Sequence, residues 1–225
     1  MKLFPFHRTG ILLFAIVMAA VSGASAQPQT KTSKTASPSP AAAAASTANP
    51  KAIGSPSAPI TMEVFGDFEC PACRAFYEGT VKQVIDQYVV PGKVYLVHRD
   101  FPLEMHPYAR PAARLANAAA QFGQFEAIER ALYDKQEEWS GKGNIDDVIA
   151  SSFPAGQLKK FRDYEAQHLS DINASIERDR AMGIQRNVNQ TPTVFITAHG
   201  KTEALPGGGV DYKLLKNYFD YLLRQ

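Results

Sequence analysis

The sequence has little of what marks many specialised classes. It holds only two cysteines and one tryptophan in 225 residues. Two cysteines are too few for a small domain stapled by several disulfides. They are also too few for a structural zinc site, which takes three or four protein ligands. No second C-x-x-C is present, and His98, His106, His168 and His199 are scattered without ligand spacing. No metal is therefore expected. Arg74 follows the second cysteine where covalent haem attachment needs histidine. The formal charge is only +2. No basic stripe interleaves with aromatics, so nucleic acid is not an expected partner. No internal period of about 20–50 residues repeats, which argues against a solenoid or propeller.

Long apolar runs are also missing, with one exception. Ile11 to Val21 is unbroken apolar sequence after a weakly basic start at Lys2, His7 and Arg8. It leads to Ala24-Ser25-Ala26, a small-residue cleavage pattern. The run is short for a membrane span, which needs about 20 apolar residues. Residues 1–26 are expected to be a cleaved secretory signal, the alternative being an uncleaved N-terminal anchor. No cysteine stands at the cleavage site, so a lipoprotein anchor is not expected. Residues 27–50 hold no aromatic and no large aliphatic side chain. Such a segment buries too little apolar surface to offset its ordering entropy and reads as a disordered linker. The expected location is the periplasm or another extracytoplasmic space, which is oxidising enough for disulfides to persist.

The folded part is expected from about residue 51. In Ala58 to Phe68, Ile60, Met62 and Val64 alternate with Thr61, Glu63 and Phe65, the period of a strand. Gly66 breaks it. Pro71 suits the first turn of a helix, and Cys73, Phe76, Tyr77, Val81, Val84, Ile85 and Tyr88 form one helical stripe. Pro91-Gly92 ends it. Lys93 to Phe101 is near-continuously apolar and suits an internal strand covered on both faces. Residues 107–182 read as helices, with Gln124 to Trp139 as one of them. Thr193 to Thr197 and Lys201 to Leu205 read as a hairpin turning at His199-Gly200. Tyr212, Leu215, Phe219 and Leu222 share one face of a terminal helix. The expected fold is α/β, a mixed sheet in the order β-α-β then β-β-α. Residues 51–103 and 183–225 form the sheet domain, and residues 104–182 a helical insertion.

Cys70 and Cys73 fall where the first strand hands over to the helix. Residues three apart share a helix face, close enough for a disulfide across one turn. As a staple, so small a loop contributes little. As a redox pair it has a mechanism. Cys70 sits at the helix N-terminus, where unpaired N–H groups and the helix dipole favour a thiolate. Cys73, one turn further in, is the resolving partner. The dipole alone supplies about 0.3–1 kcal/mol. A strongly acidic Cys70 therefore needs direct hydrogen bonds to its sulfur as well. Pro71 and Ala72 shape that surface, and Glu69 adds a nearby negative charge.

The C-P-x-C at a strand-to-helix turn, the helical block and "QTPTVFI" before the final hairpin resemble the DsbA-like branch of the thioredoxin superfamily. So do "MEVFGDFECPAC", "YLVHRDFPL" and the Ala-rich helix after "MHPYAR". The resemblance covers about residues 53–225. It implies a thioredoxin fold with inserted helices. It implies a cis peptide bond at Thr191-Pro192 lying against the sulfurs, with Thr191 tuning the redox potential. Gln190 departs from the glycine that relatives often carry before Thr-Pro. Glu63 and Asp67 are candidates for an acid that moves a proton during exchange. His98 and Arg99 are expected to be structural or surface groups, and Tyr133 and Trp139 core of the insertion.

The expected activity is protein-disulfide oxidoreductase. The form it takes is a monomeric dithiol oxidase that passes a Cys70–Cys73 disulfide to exported proteins with free thiols. A membrane redox partner recycles it, and no cofactor is needed beyond the cysteines. A reductase or isomerase of the same superfamily, and a non-catalytic thioredoxin-fold chaperone, are the alternatives.

Overall fold

The computed structural model describes residues 49–225. The expected signal (residues 1–26) and linker residues 27–48 lie outside the described residues.

Five strands form one mixed sheet in the order β1-β3-β2-β4-β5. Strand β2 (Ile60–Gly66) is central. It pairs in parallel with β3 (Val94–Asp100), and Val64 lies opposite His98. On its other side it pairs antiparallel with β4 (Thr193–Ala198). β5 (Lys201–Ala204) forms the exposed edge. β1 (Ala52–Ile53) pairs antiparallel with β3 and is not expected from sequence. Two residues carry no readable periodicity. β3 is thereby an internal strand, as its apolar run implies.

Helix α1 opens as Pro71–Phe76 and continues without a break through Tyr77–Val81, Lys82–Val84 and Ile85–Val89. Tyr77–Val81 and Ile85–Val89 are wound as π-helix. Gly92, with φ of +76°, turns the chain back toward β3. Six helices follow: α2 (Ala109–Ala120), α3 (Phe125–Asp134), α4 (Gln136–Trp139), α5 (Ile145–Ser152), α6 (Leu158–Gln167) and α7 (Leu169–Gln185). α8 (Tyr212–Leu222) closes the fold, capped by the Asp211 side chain on the Lys213 N–H.

Alternation along the strands divides the core. One face presents Ile60, Met62, Leu96, Val194 and Ile196 to a core shared with α1, α8 and the helical block. The other buries Phe65, Phe101, Phe195 and Val188, with Met182 packed against them. At Gly183 on α7 a Cβ would come within 2.7 Å of the Phe101 ring and 3.1 Å of Phe65. Gly183→Ala is therefore expected to destabilise the fold by about 1–3 kcal/mol through overpacking. The better helix propensity of alanine offsets less than about 1 kcal/mol of this. Denaturant unfolding reads the difference.

Lys51, the residue before β1, is buried and ion-paired to both Asp100 and Asp179. Asn117 on α2 donates to Asp100 at 2.7 Å. This cluster joins the start of the fold to β3, α2 and α7.

The stretch expected as one helix from Gln124 to Trp139 is interrupted at Lys135, where φ is −107° and ψ is 16°. The break has a consequence at the cysteines. Gln136, buried, donates its Nε2 to the Phe68 carbonyl at 2.7 Å and to the Cys70 carbonyl at 3.1 Å.

Candidate active site

Both cysteines are free thiols and both are buried. Cys70 is the N-cap of α1, with extended backbone (φ −74°, ψ 121°). Pro71 fills the first helical position, where a missing N–H leaves nothing unsatisfied. Pro71 and Ala72 are exposed, and Cys73 lies one turn below.

The Thr191-Pro192 peptide bond is cis, as the resemblance implies. This loop comes from 121 residues away to cover the sulfurs. When protonated, the Cys70 thiol donates to the Thr191 carbonyl at 3.5 Å. The Thr191 hydroxyl is buried and has no hydrogen-bond partner among the described residues. It lies close enough to both sulfurs to favour their ionised forms. Gly208 N–H donates to the Pro192 carbonyl at 3.0 Å, which ties the loop to the glycine run at 207–209. The Gln190 side chain lies against Gly207, where a Cβ would overlap it. Gln190 is thus accommodated by the absence of a side chain opposite.

The two sulfurs are driven apart in acidity. Cys70 is brought down to about 5, first by the hydrogen bond that Cys73 offers its sulfur. Burial opposes this, while Thr191 and the backbone N–H groups of Cys73 and Ala72 add to it. Burial pushes Cys73 well above the ordinary thiol range, and the neighbouring Cys70 pushes it further. The Asp67 N–H, donating to the Cys73 sulfur at 3.5 Å, works weakly the other way. One sulfur is therefore a thiolate at neutral pH and its partner a protonated thiol. A nucleophile and a resolving thiol require that division.

The two candidate acids sit in different settings. Glu63 lies on the far face of β2 from the cysteines. Its carboxylate takes Arg99 Nη2 at 2.7 Å and Arg186 Nη1 at 2.8 Å. Burial alone would raise it, but the hydrogen bonds from Arg186 and Arg99 hold it below its usual range. It does not reach the sulfurs, because alternation along a strand sends neighbours to opposite faces. Asp67 is buried next to the site, with its carboxylate already occupied. It accepts from Glu69 N–H at 2.7 Å, Leu103 N–H at 2.8 Å and His106 Nδ1 at 2.7 Å. Glu69 is likewise engaged, accepting from Tyr108 N–H at 2.6 Å and Gly141 N–H at 3.2 Å. These acids latch the cysteine turn to the 101–108 and 140–141 loops.

Three residues beside the cysteines carry roles that the chain pattern does not announce. Gln136 holds the cysteine turn from the insertion. Tyr133 is core, as expected, but also lines a cavity beneath Cys73 together with Glu129. Of the two expected settings His98 takes the structural one: it is buried and stacked on Phe68, centroids 4.8 Å apart. The inward alternation of Val94, Leu96 and His98 carries that signal.

A cysteine pair at the start of a helix, faced by a cis-proline loop on a mixed sheet, defines a thioredoxin-type redox site. Similarity to known proteins agrees with it. A family model described as thioredoxin matches residues 46–206, and the chain belongs to that family. Its fold is that of the DsbA-like thioredoxin-fold proteins. The structure of Wolbachia pipientis alpha-DsbA1 superposes with a TM-score of 0.63 at 23% identity. That match covers 76% of this chain and 89% of the other. "Probable disulfide bond formation protein D" of Bacillus cereus is 24% identical over 154 residues, 66% of this chain and 70% of that protein. A further relative is Na(+)/H(+) antiporter NhaA 1 of Mycolicibacterium gilvum. It is 33% identical over 147 residues, 64% of this chain and 22% of the antiporter. The chain thus spans only about a fifth of the length of the first curated relatives it matches.

Proposed function

We propose that this protein is a thiol–disulfide oxidoreductase that acts as a dithiol oxidase on exported proteins. The observation that carries the reading is the split between an acidic Cys70 and a buried, protonated Cys73 beneath the Thr191-Pro192 loop. In the disulfide form, a substrate thiolate attacks the Cys70 sulfur and the Cys70–Cys73 bond breaks. Cys73 leaves with the electron pair. A second substrate thiolate then attacks the substrate sulfur of the mixed disulfide. Cys70 departs as a thiolate, the substrate is oxidised by two electrons and the pair is reduced.

The acidity of Cys70 favours this direction. A low-pKa thiolate is a good leaving group, so the substrate keeps the new disulfide. Stabilising the thiolate also stabilises the dithiol form, which makes the disulfide a stronger oxidant. At about 5, Cys70 lies between the thioredoxin nucleophile near 7 and that of DsbA near 3.5. The sequence of residues 1–26 supports export. The name of the Bacillus cereus relative, a probable disulfide bond formation protein, supports disulfide formation as the outcome. The protein works as a monomer on thiol-bearing substrates, and a membrane-bound oxidant recycles it. Thr191 and Pro192 hold the substrate chain against Cys70.

Equilibration of the pair with glutathione tests the direction. The expected potential is more oxidising than about −180 mV, the range of disulfide-forming catalysts. A value near −270 mV would instead make the protein a reductase.

A further inference from the structure

Beneath Cys73 the core leaves a cavity of about 20 Å³, room for one water molecule. Its walls include Val64, Cys73, His98, Glu129, Tyr133 and Pro192. The strand residue at this level, Val64, is apolar. Glu63 points to the other face and the Asp67 oxygens are filled, so neither acid near the cysteines in sequence serves this space. Besides Cys73 and Tyr77 on α1, the titratable groups that line it are Lys51 before β1, His98 on β3, and Glu129 and Tyr133 on α3.

His98 is the centre of that group. Its Nδ1 lies 3.1 Å from Glu129 Oε1 on α3. Its Nε2 makes no hydrogen bond among the described residues, although Asp100 Oδ1 lies 3.4 Å away. Stacking on Phe68 (interplanar angle 9°) and contact with Phe125 fix the ring. The surrounding ionisable groups are Cys73 and Tyr77 on α1, Glu129 and Tyr133 on α3, and Asp100 on β3 itself. Lys51 pairs with Asp100 and lines the same cavity. Burial works against a charged His98, but the neighbouring carboxylates of Asp100 and Glu129 prevail and raise it to about 9.

We propose that His98, positioned by Glu129, is the proton donor and acceptor for the resolving thiol Cys73. The proposal rests on the oxidoreductase reading above. When substrate attack breaks the Cys70–Cys73 bond, Cys73 leaves as a thiolate in an apolar setting. The His98 imidazolium gives it a proton through one water in the cavity, leaving Cys73–SH and neutral imidazole. During recycling, Cys70 forms a mixed disulfide with the oxidant. Cys73 then returns its proton to His98 and attacks the Cys70 sulfur, so charge and protons close over the cycle.

The test follows the disulfide form of the full chain reacting with a peptide whose thiol is fully ionised at neutral pH. Single-turnover release of Cys73 is measured against pH. In the native protein the rate is expected to fall above about pH 9, as His98 loses its proton. His98→Gln is expected to lose that limb and to react about 100-fold more slowly at pH 7, the scale of general acid catalysis. Glu129→Gln should move the limb to lower pH. The alkylation midpoint of Cys70 should stay in place in both variants, whereas a packing defect would shift it. A native rate that does not fall above pH 9, or a His98→Gln profile matching the native one, overturns the proposal. If His98→Gln does not fold, the native limb and Glu129→Gln decide. If the native disulfide form transfers nothing at any pH, the oxidoreductase reading fails and the relay falls with it.

Discussion

Cys73→Ala is expected to leave the protein covalently trapped on its substrate, and Cys70→Ser to abolish exchange altogether. Exchange is reversible, and a variant that cannot form the Cys70–Cys73 disulfide is loaded from the reverse side: the Cys70 thiolate attacks a disulfide of the oxidised substrate, forming one Cys70–substrate bond and expelling one substrate thiolate. In the native protein Cys73 then attacks the Cys70 sulfur, expels the substrate and closes the pair. The two cysteines share one turn of α1, so this step is intramolecular. Well-oriented groups of this kind reach effective molarities of about 10⁵–10⁸ M. External thiols at millimolar levels do not replace them. The mixed disulfide of Cys73→Ala should therefore live at least about a thousandfold longer than the native one, readable by non-reducing electrophoresis and mass spectrometry. The serine of Cys70→Ser cannot form any such bond. Turnover that survives Cys70→Ser would mean the cysteines are incidental and the protein is a binding module.

The second large effect is the acidity of Cys70. Alkylation of the dithiol form by iodoacetamide, followed against pH, is expected to show a midpoint near 5. The ordinary thiol value is 9.0, so the ionisation constant changes by about 10⁴. Cys73 should remain unreactive over the same range, because burial keeps it protonated. Removing the Thr191 hydroxyl should move the Cys70 midpoint upward, since that group favours the thiolate. A midpoint at or above 8 would exclude the proposed division of roles.

The same shift sets how stability depends on pH. The folded-state pKa of Cys70 is depressed relative to the unfolded chain, so the unfolded state holds the proton more tightly. The stabilisation is complete above the unfolded thiol range, about 8.5–9. It is lost progressively as pH falls toward 5. The dithiol form should therefore lose stability relative to Cys70→Ser between these limits, a difference that denaturant unfolding at the two pH values reads. The disulfide form has no thiolate and should not show this slope.

The order of elements, the turn that carries the cysteines and the helix that Pro71 begins are all legible in the chain itself. Each is written in neighbouring residues. The alternation of Ile60, Met62 and Val64 marks a strand, Gly66 ends it, and the Cys73 to Tyr88 stripe marks a helix. The resemblance carried by "QTPTVFI" adds the partner loop, including the cis bond at Thr191-Pro192. The acids are less legible. The alternation of β2 already sends Glu63 to the far face, but its pairing with Arg99 and Arg186, and the Leu103 and His106 donors on Asp67, come from residues distant in the chain.

What the sequence determined by itself is the chemistry available: two thiols one helical turn apart at a strand-to-helix turn, in a chain without a second metal-binding motif. Tertiary structure decided how those thiols differ. Thr191 lies 121 residues from Cys70, Gln136 reaches the Cys70 carbonyl across 66, and Glu129 meets His98 across 31. Lys51 and Asp179, 128 residues apart, anchor the far end of the same charged cluster. None of these pairs leaves a periodic or local trace in the chain. Desolvation and hydrogen bonding act over a few ångströms in space, so acidity is settled only when the fold brings distant residues to the sulfur.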